Sequence, residues 1–247
     1  GMRSYDAAPS LRDEIVERLE ATYLPRCDYV TAASPGIADA YADTYEIDTP
    51  ASILNVFPLA DCPSSFRPTD PDSPLTLYWF SQTIGPERGL EDVVQALSRL
   101  PEENIELHLR GNWQSDAYRD ALYELAGPAA DQLISHRPAP PDEMVRRAAR
   151  YDVGLALEQD VERNRDICLT NKIFTYLLGG NAVVATATSG QERLMRNIPD
   201  AGFLYEPNQC DPLIDQLQTW ARTPEALDRC RKNSWRYGQE TYNWDRE

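Results

Sequence analysis

The stretch TNKIFTYLLGGNAVVATATSGQE, residues 170 to 192, packs a helix start, a glycine pair, a buried strand and a second helix start into one short run. Asn171 and Lys172 open a helix on which Ile173, Phe174, Leu177 and Leu178 recur at helical spacing and so face a core. The first turn of a helix leaves its N–H groups without intrahelical partners, so backbone donors and one ammonium gather at the same end. Gly179 and Gly180 stop that helix. Ala182 to Thr186 is small or β-branched throughout, the pattern of a strand covered on both faces, and Ser189-Gly190 begin the next helix. Two helix N-termini are therefore expected at one crevice, where they would make a phosphate site.

The same alternation runs outward in both directions. Strands at 75–80, 105–110, 132–136 and 152–157 are followed by helices at 88–99, 115–126, 141–150 and 171–178. After the strand 182–186 come a helix at 190–196, a strand at 202–205, and helices at about 211–222 and 225–241. Strands alternating with helices across short loops argue an α/β fold, a doubly wound parallel sheet with helices on both faces. The segment 58–74, PLADCPSSFRPTDPDSP, has five prolines and reads as an interdomain linker. Ahead of it lie a helix at 10–25 with Ser10 as N-cap and Glu14 near the capping-box position, and a strand at 29–33. A helix capped by Ser34 with Pro35 at its first position and a strand at 52–56 follow. The chain thus divides into residues 1–57, a linker at 58–74, and a Rossmann-like domain at 75–247.

Ligands of such sheets bind outside the carboxyl ends of the strands, so the chemistry belongs in the loops that follow them. After the first strand, Thr83, Gly85 and Arg88 precede a helix; after the second comes Arg110-Gly111-Asn112; after the third, Arg137. After the fourth, the acidic run Glu158, Asp160 and Glu162 leads into Thr170-Asn171-Lys172. A sugar nucleotide uses both kinds of group: cations and N–H donors for the diphosphate, carboxylates for the sugar hydroxyls. Taken singly, Arg88 or Arg137 reads as a solvated surface charge, and only the joint pattern points to a ligand.

Composition closes other routes. A formal charge of −16 repels nucleic acid and anionic lipid surfaces. No apolar run approaches the roughly 20 residues of a membrane span and no signal peptide is read, so the chain is expected in the cytoplasm. Gly1 ahead of Met2 resembles a residue left by removal of a tag and is set aside. Cys27, Cys62, Cys168, Cys210 and Cys230 are odd in number and contain no C-x-x-C pair, which fits reduced thiols. His108 and His136 have no ligand-spaced neighbour, so neither a histidine zinc site nor a Ser-His-Asp triad is expected.

The order of segments resembles the carboxyl-terminal half of a retaining GT-B-fold glycosyltransferase of the family 4 (group 1) type. DYVTAASPGIADAYADTYEI resembles the strand, serine and helix at the end of that family's acceptor-side domain. SQTIGPERGLEDVVQAL resembles its glycine-rich turn with a basic residue before a helix, and IELHLRGN its strand ending in glycine. NKIFTYLLGGNAVVATATSGQE resembles its lysine-containing helix and following strand, and YNWD its terminal aromatic motif. The likeness runs over about residues 20 to 247.

The resemblance implies a donor-binding domain for a nucleotide sugar, a UDP- or GDP-sugar, needing no cofactor or metal and passing the sugar to an unidentified glycan or lipid-linked glycan. It implies that Arg88 and Lys172 contact the diphosphate, that Glu158 lies near the family glutamate that touches the donor sugar, and that Arg137 lies in the loop bordering the base. These make Arg88, Lys172 and Glu158 the expected catalytic set. Thr83, Gly85, Gly111, Arg137, Thr170, Asn171, Thr175, Ser189 and Gly190 are the expected donor contacts. Arg88 and Lys172 are expected to be removable without leaving a buried partner unpaired. The family's E-x7-E pattern is absent: its second glutamate, a ribose contact, falls on Thr175, and the position eight residues earlier is Ile167. A glutamate restored at 175 is expected to strengthen nucleoside binding. GT-B enzymes also need two Rossmann-like domains, whereas residues 1–57 match only the end of the first, so the chain is expected to bind a donor better than it turns one over. A non-catalytic nucleotide-sugar-binding or scaffold subunit remains the alternative. An epimerase on the same plan is disfavoured by the scarcity of histidine.

Overall fold

The computed structural model describes residues 11–159 and 162–247; Ser10 and Asp160 lie outside the described residues. The described residues begin with α1 (Leu11–Tyr23), β1 (Thr31–Ala32), α2 (Pro35–Tyr45) and β2 (Ala51–Ser52). β1 and β2 pair in parallel over two residues each, shorter than the sequence predicts, because among the described residues they have only each other as partners. The Ser34 hydroxyl accepts from the Ile37 N–H with Pro35 in the first turn, as expected of that cap.

The main body carries β3 (Leu75–Ile84), β4 (Ile105–Trp113), β5 (Leu133–His136), β6 (Val153–Ala156), β7 (Ala182–Thr186) and β8 (Gly202–Tyr205). All pair in parallel, in the order β5-β4-β3-β6-β7-β8. The doubly wound parallel sheet is thus as predicted. Its connecting helices are α3 (Leu90–Ser98), α4 (Asp116–Ala126), α5 (Met144–Ala148), α6 (Arg163–Ile167), α7 (Asn171–Gly179), α8 (Ser189–Met195), α9 (Cys210–Arg222) and α10 (Pro224–Glu240). No helix among the described residues is long and apolar enough to cross a membrane.

Alternation along each strand divides the core between the two faces. Leu77, Trp79, Leu107, Leu109, Leu155 and Val184 pack with α3, α4 and α9, and Tyr78, Ala156, Val183 and Ala185 pack with α7 and α8. Ile173, Phe174, Leu177 and Leu178 of α7 are fully covered, each contributing about 1.5–3 kcal/mol relative to exposure. Gly154 is what lets α7 lie this close, since a Cβ there would meet the Tyr176 ring at 2.1 Å.

The main body departs from the sequence reading at three places. β3 and β4 run on past Phe80 and Arg110, because a bulge between Phe80 and Thr83 restores pairing of Thr83 and Ile84 with Asn112 and Trp113. The helix predicted over 141–150 splits into a 3-10 turn, Pro141–Glu143, and the short α5; the adjoining prolines have no N–H to continue an α-helical ladder. α6 escapes prediction because RNRDI has no apolar period.

Segment 58–74 is fastened to the main body. Arg67 pairs with Asp152 at 2.8 Å, and Thr69 N and Oγ1 both donate to Asp228 at 2.8 Å. Arg231, 1% exposed, donates to Thr69 and pairs with Asp152 at 3.1 Å. Burial lowers its guanidinium to about 10 despite the two aspartates. The C-terminal residues return to the other side of that segment, with Trp244 N donating to Phe57 O and Leu59 N to Asp245.

The chain runs from β3 outward through β4 to β5, then reverses through β6 to β8, so the switch point lies between β3 and β6. The connections leave the sheet on opposite faces there and open a crevice above the carboxyl ends of the two strands.

Candidate functional site

β6 ends in that crevice, and Glu158 follows it. Lys172 Nζ sits 2.6 Å from Glu158 Oε1, with the two side chains only 12% and 11% exposed. The Thr170 hydroxyl donates to the same oxygen at 2.9 Å. Burial pushes the Glu158 carboxyl up, but the Lys172 ammonium and the Thr170 hydrogen bond outweigh it and hold it below the ordinary glutamate range. Thr170 occupies the N-cap position of α7 without capping it, since its hydroxyl is spent on Glu158; the first N–H groups of α7 therefore remain open beside the ion pair. Lys172 is thus no free ammonium. The expectation that its removal leaves no buried partner unpaired is corrected by Glu158.

Next to this pair is a cavity of about 280 Å³ lined by Phe57, Phe80, Ser81, Gln82, Arg110, Pro138, Ala139, Pro141, Met144, Asn171 and Lys172. It runs from the polar α7 start to a slot of aromatic, proline and methionine side chains. Arg110 borders that slot, is 8% exposed, and is held by Nε donating to the Tyr78 hydroxyl at 2.9 Å and Nη1 to the Arg137 carbonyl at 2.7 Å. The sequence reading passed over Arg110 as a contact. A signal was present: Glu106, His108 and Arg110 put three ionisable groups on one face of a strand paired on both sides. Below Arg110, His108 and His136 approach to 2.9 Å, and His108 reaches Glu106 at 3.0 Å. Both imidazoles are held below the usual histidine range, chiefly by burial.

The other expected contacts divide. Arg88 is half-buried just before α3, whose N-cap Gly89 is left-handed (φ 69°), and it has no ion pair among the described residues. Asn171 lines the cavity. Thr83 and Gly111 lie within β3 and β4 instead of in loops, a consequence of the bulge, and Gly85 follows directly, buried against Gln114. Arg137 projects into solvent, and its backbone carbonyl, not its side chain, serves the site. Thr175 is fully buried with its hydroxyl on the Asn171 carbonyl, which leaves it unable to touch a ribose as it stands.

Ser189 and Gly190 do not offer an open helix start. Ser189 N and Oγ both donate to Asp166 at 2.8 Å, and Thr188 caps Gln191 N. Gly190 is required by close approach, as a Cβ there would lie 2.5 Å from the Cys168 carbonyl. Of the two helix N-termini expected at one crevice, α7 is open and α8 is closed by the protein's own carboxylate.

No protein-family model matches the sequence, and no curated protein sequence matches it significantly. Among solved structures the fold is similar to sucrose-phosphate synthase from Thermosynechococcus elongatus, at TM-score 0.74 and 20% identity over 98% of this chain and 61% of that one. It is similar to Anabaena HepE in complex with UDP, at TM-score 0.73 and 16% identity over 98% of this chain and 67% of that one. A glycosyltransferase from Rickettsia africae matches at TM-score 0.71 and 14% identity, over 98% of this chain and 65% of that one. The chain therefore spans about three fifths to two thirds of these relatives. At such identities the likeness establishes the fold: the chain is built like that part of glycosyltransferase chains.

Proposed function

We propose that the chain is the donor-binding part of a glycosyltransferase of the family 4 (group 1) type, retaining, hexose-transferring and cytoplasmic. The observation that carries the proposal is the continuous cavity at the switch point, which joins an open helix start and the Lys172–Glu158 pair to a flat apolar slot. The nucleoside diphosphate part of a nucleotide sugar has matching parts in the same order: an anionic diphosphate, a ribose and a flat base. HepE, whose fold is similar, has been solved with UDP and with UDP-glucose. On this reading residues 1–57 are the end of an acceptor-side domain, 58–74 the linker and 75–247 the donor domain.

The chemistry assigned to the chain is electrostatic. Negative charge grows on the departing nucleoside diphosphate in the transition state, and Arg88, Lys172 and the first N–H groups of α7 neutralise it without a metal ion. On this reading Glu158 holds Lys172 and accepts from a sugar hydroxyl. The acceptor, a glycan or lipid-linked glycan, would come from the other side of the cleft. Buried Thr175 favours a second reading, a nucleotide-sugar-binding subunit without turnover, because it supplies no ribose carboxylate.

Calorimetric titration with UDP, GDP, ADP and their common sugars in EDTA tests the proposal. At least one nucleotide is expected to bind and to raise the melting temperature by linkage. No binding at millimolar ligand overturns it. Hydrolysis or transfer of a bound donor by this chain excludes the second reading.

A further inference from the structure

Arg110 is a buried guanidinium whose hydrogen-bonding capacity is only partly used. Its Nε and Nη1 donate to two neutral oxygens, the Tyr78 hydroxyl and the Arg137 carbonyl, and it forms no salt bridge among the described residues. Nη2 makes no hydrogen bond to any described residue, although the side chain is 8% exposed and lines the cavity. Nη2 is unpaired among the described residues yet not sealed from solvent, so it stays available to a ligand. Tyr78 and the Arg137 carbonyl engage Nε and Nη1, and Nη2 is the nitrogen left for a ligand in the cavity that Arg110 lines. The walls there are Phe57, Phe80, Pro138, Pro141 and Met144, which suit a flat ring. The cavity volume of about 280 Å³ is near the lower end of small-ligand pockets, roughly 300 Å³, large enough for a base and part of a ribose but not for a whole sugar nucleotide.

We infer that Arg110 is a specificity-determining residue: its free Nη2 donates to a ring carbonyl of the base, so the site selects a 4-oxo pyrimidine or a 6-oxo purine over the corresponding amino base. The inference rests on the nucleotide reading above and adds to it the residue that reads the base. The discrimination has a simple origin. A guanidinium can only donate; a ring carbonyl accepts, whereas the exocyclic amine of cytosine or adenine at the same position presents its own N–H and leaves both donors unpaired. Sites built around a hydrogen bond reject analogues that cannot make it far more strongly than apolar pockets reject a change of size. Tyr78 acts as a positioning residue, stacked at 4.3 Å on Tyr151 and thereby fixed beneath the guanidinium.

The test uses ligand pairs that differ only at this position. UDP is compared with CDP, and GDP with ADP, by titration calorimetry at one ionic strength, on the whole chain and on Arg110→Met and Arg110→Lys. At least one oxo nucleotide is expected to bind tenfold or more tighter than its amino partner, and Arg110→Met is expected to bring that pair within about twofold. Arg110→Lys retains the charge without the fixed fork and is expected to fall between. The ligand comparison on the unaltered chain stands even if a variant fails to fold. Equal affinity within both pairs overturns the inference while leaving nucleotide binding intact, and so does discrimination that survives in folded Arg110→Met. Inorganic pyrophosphate binding as tightly as UDP, and lost in Arg110→Met, would show that Arg110 holds an anion instead and overturns it too. Failure of every nucleotide to bind removes the underlying reading and this inference together.

Discussion

Replacing Lys172 by methionine isolates the ion pair at the centre of the site. Methionine keeps most of the volume and apolar contact of the lysine stem, so the main change is the loss of one charge 2.6 Å from Glu158. With both side chains about nine tenths covered, the carboxylate is left buried with only the Thr170 hydroxyl for company. Removing one member of a buried pair costs about 3–5 kcal/mol; the surviving hydrogen bond and the residual exposure put this site at the low end, about 3 kcal/mol. For a chain of this size that corresponds to a fall in melting temperature of roughly 6–12 °C. The pH dependence gives the cause its signature. In the unaltered chain the folded-state carboxyl is held below its ordinary range, so the stability it contributes is complete above the unfolded glutamate pKa and is lost as pH falls through the lower folded value. In Lys172→Met burial is opposed only by the Thr170 hydrogen bond and the more distant Arg165 charge and raises the folded pKa, so the penalty is full at neutral pH and disappears on acidification, when Glu158 takes up a proton. The two stability curves should therefore converge between pH 7 and about pH 4. Adding Glu158→Gln to Lys172→Met should restore part of the loss, with a coupling of about 1 kcal/mol or more. The assay is scanning calorimetry of the single and double variants across that pH range. A Lys172→Met chain that melts with the unaltered chain at pH 7, or a gap that does not narrow towards acid, would refute the account of a buried, mutually dependent pair.

Arg88→Ala should leave unfolding within about 0.5 kcal/mol of the unaltered chain, because the residue is half-buried with no partner among the described residues, and should weaken pyrophosphate roughly ten- to more than hundredfold. Unchanged affinity by titration calorimetry would place the anion elsewhere. Thr175→Glu should destabilise by about 2 kcal/mol or more in urea unfolding, since the position is fully covered; an undiminished midpoint with tighter nucleoside binding would show that the side chain reaches the cavity after all. Gly154→Ala should cost about 1–3 kcal/mol through collision with the Tyr176 ring, and an unaltered urea midpoint would mean that α7 packs less closely than the 2.1 Å approach indicates.

The alternation of strands and helices was legible in the sequence because it depends on local periodicity. Val183 and Val184 read as a strand covered on both sides, and Ile173 to Leu178 as one face of a helix, whatever lies next to them in space. The position of the crevice also followed, since strand-end loops carry the ligand in any parallel sheet of this kind. Four things were settled only by tertiary structure. The bulge after Phe80 moved Thr83 and Gly111 out of loops and into the ladder, because pairing with β4 continued where the side chains had turned polar. Asp166 reached Ser189 across 23 residues and closed one of the two helix starts, while Glu158 and Lys172, 14 apart, became a buried pair. Arg110 became part of the cavity wall because Tyr78 on β3 and the Arg137 carbonyl just after β5 fixed two of its three nitrogens. Local patterning fixes which residues form an element and which way they face. Which charges neutralise one another, and which donor is left for a ligand, depends on distances between elements far apart in the chain, and no periodicity encodes them.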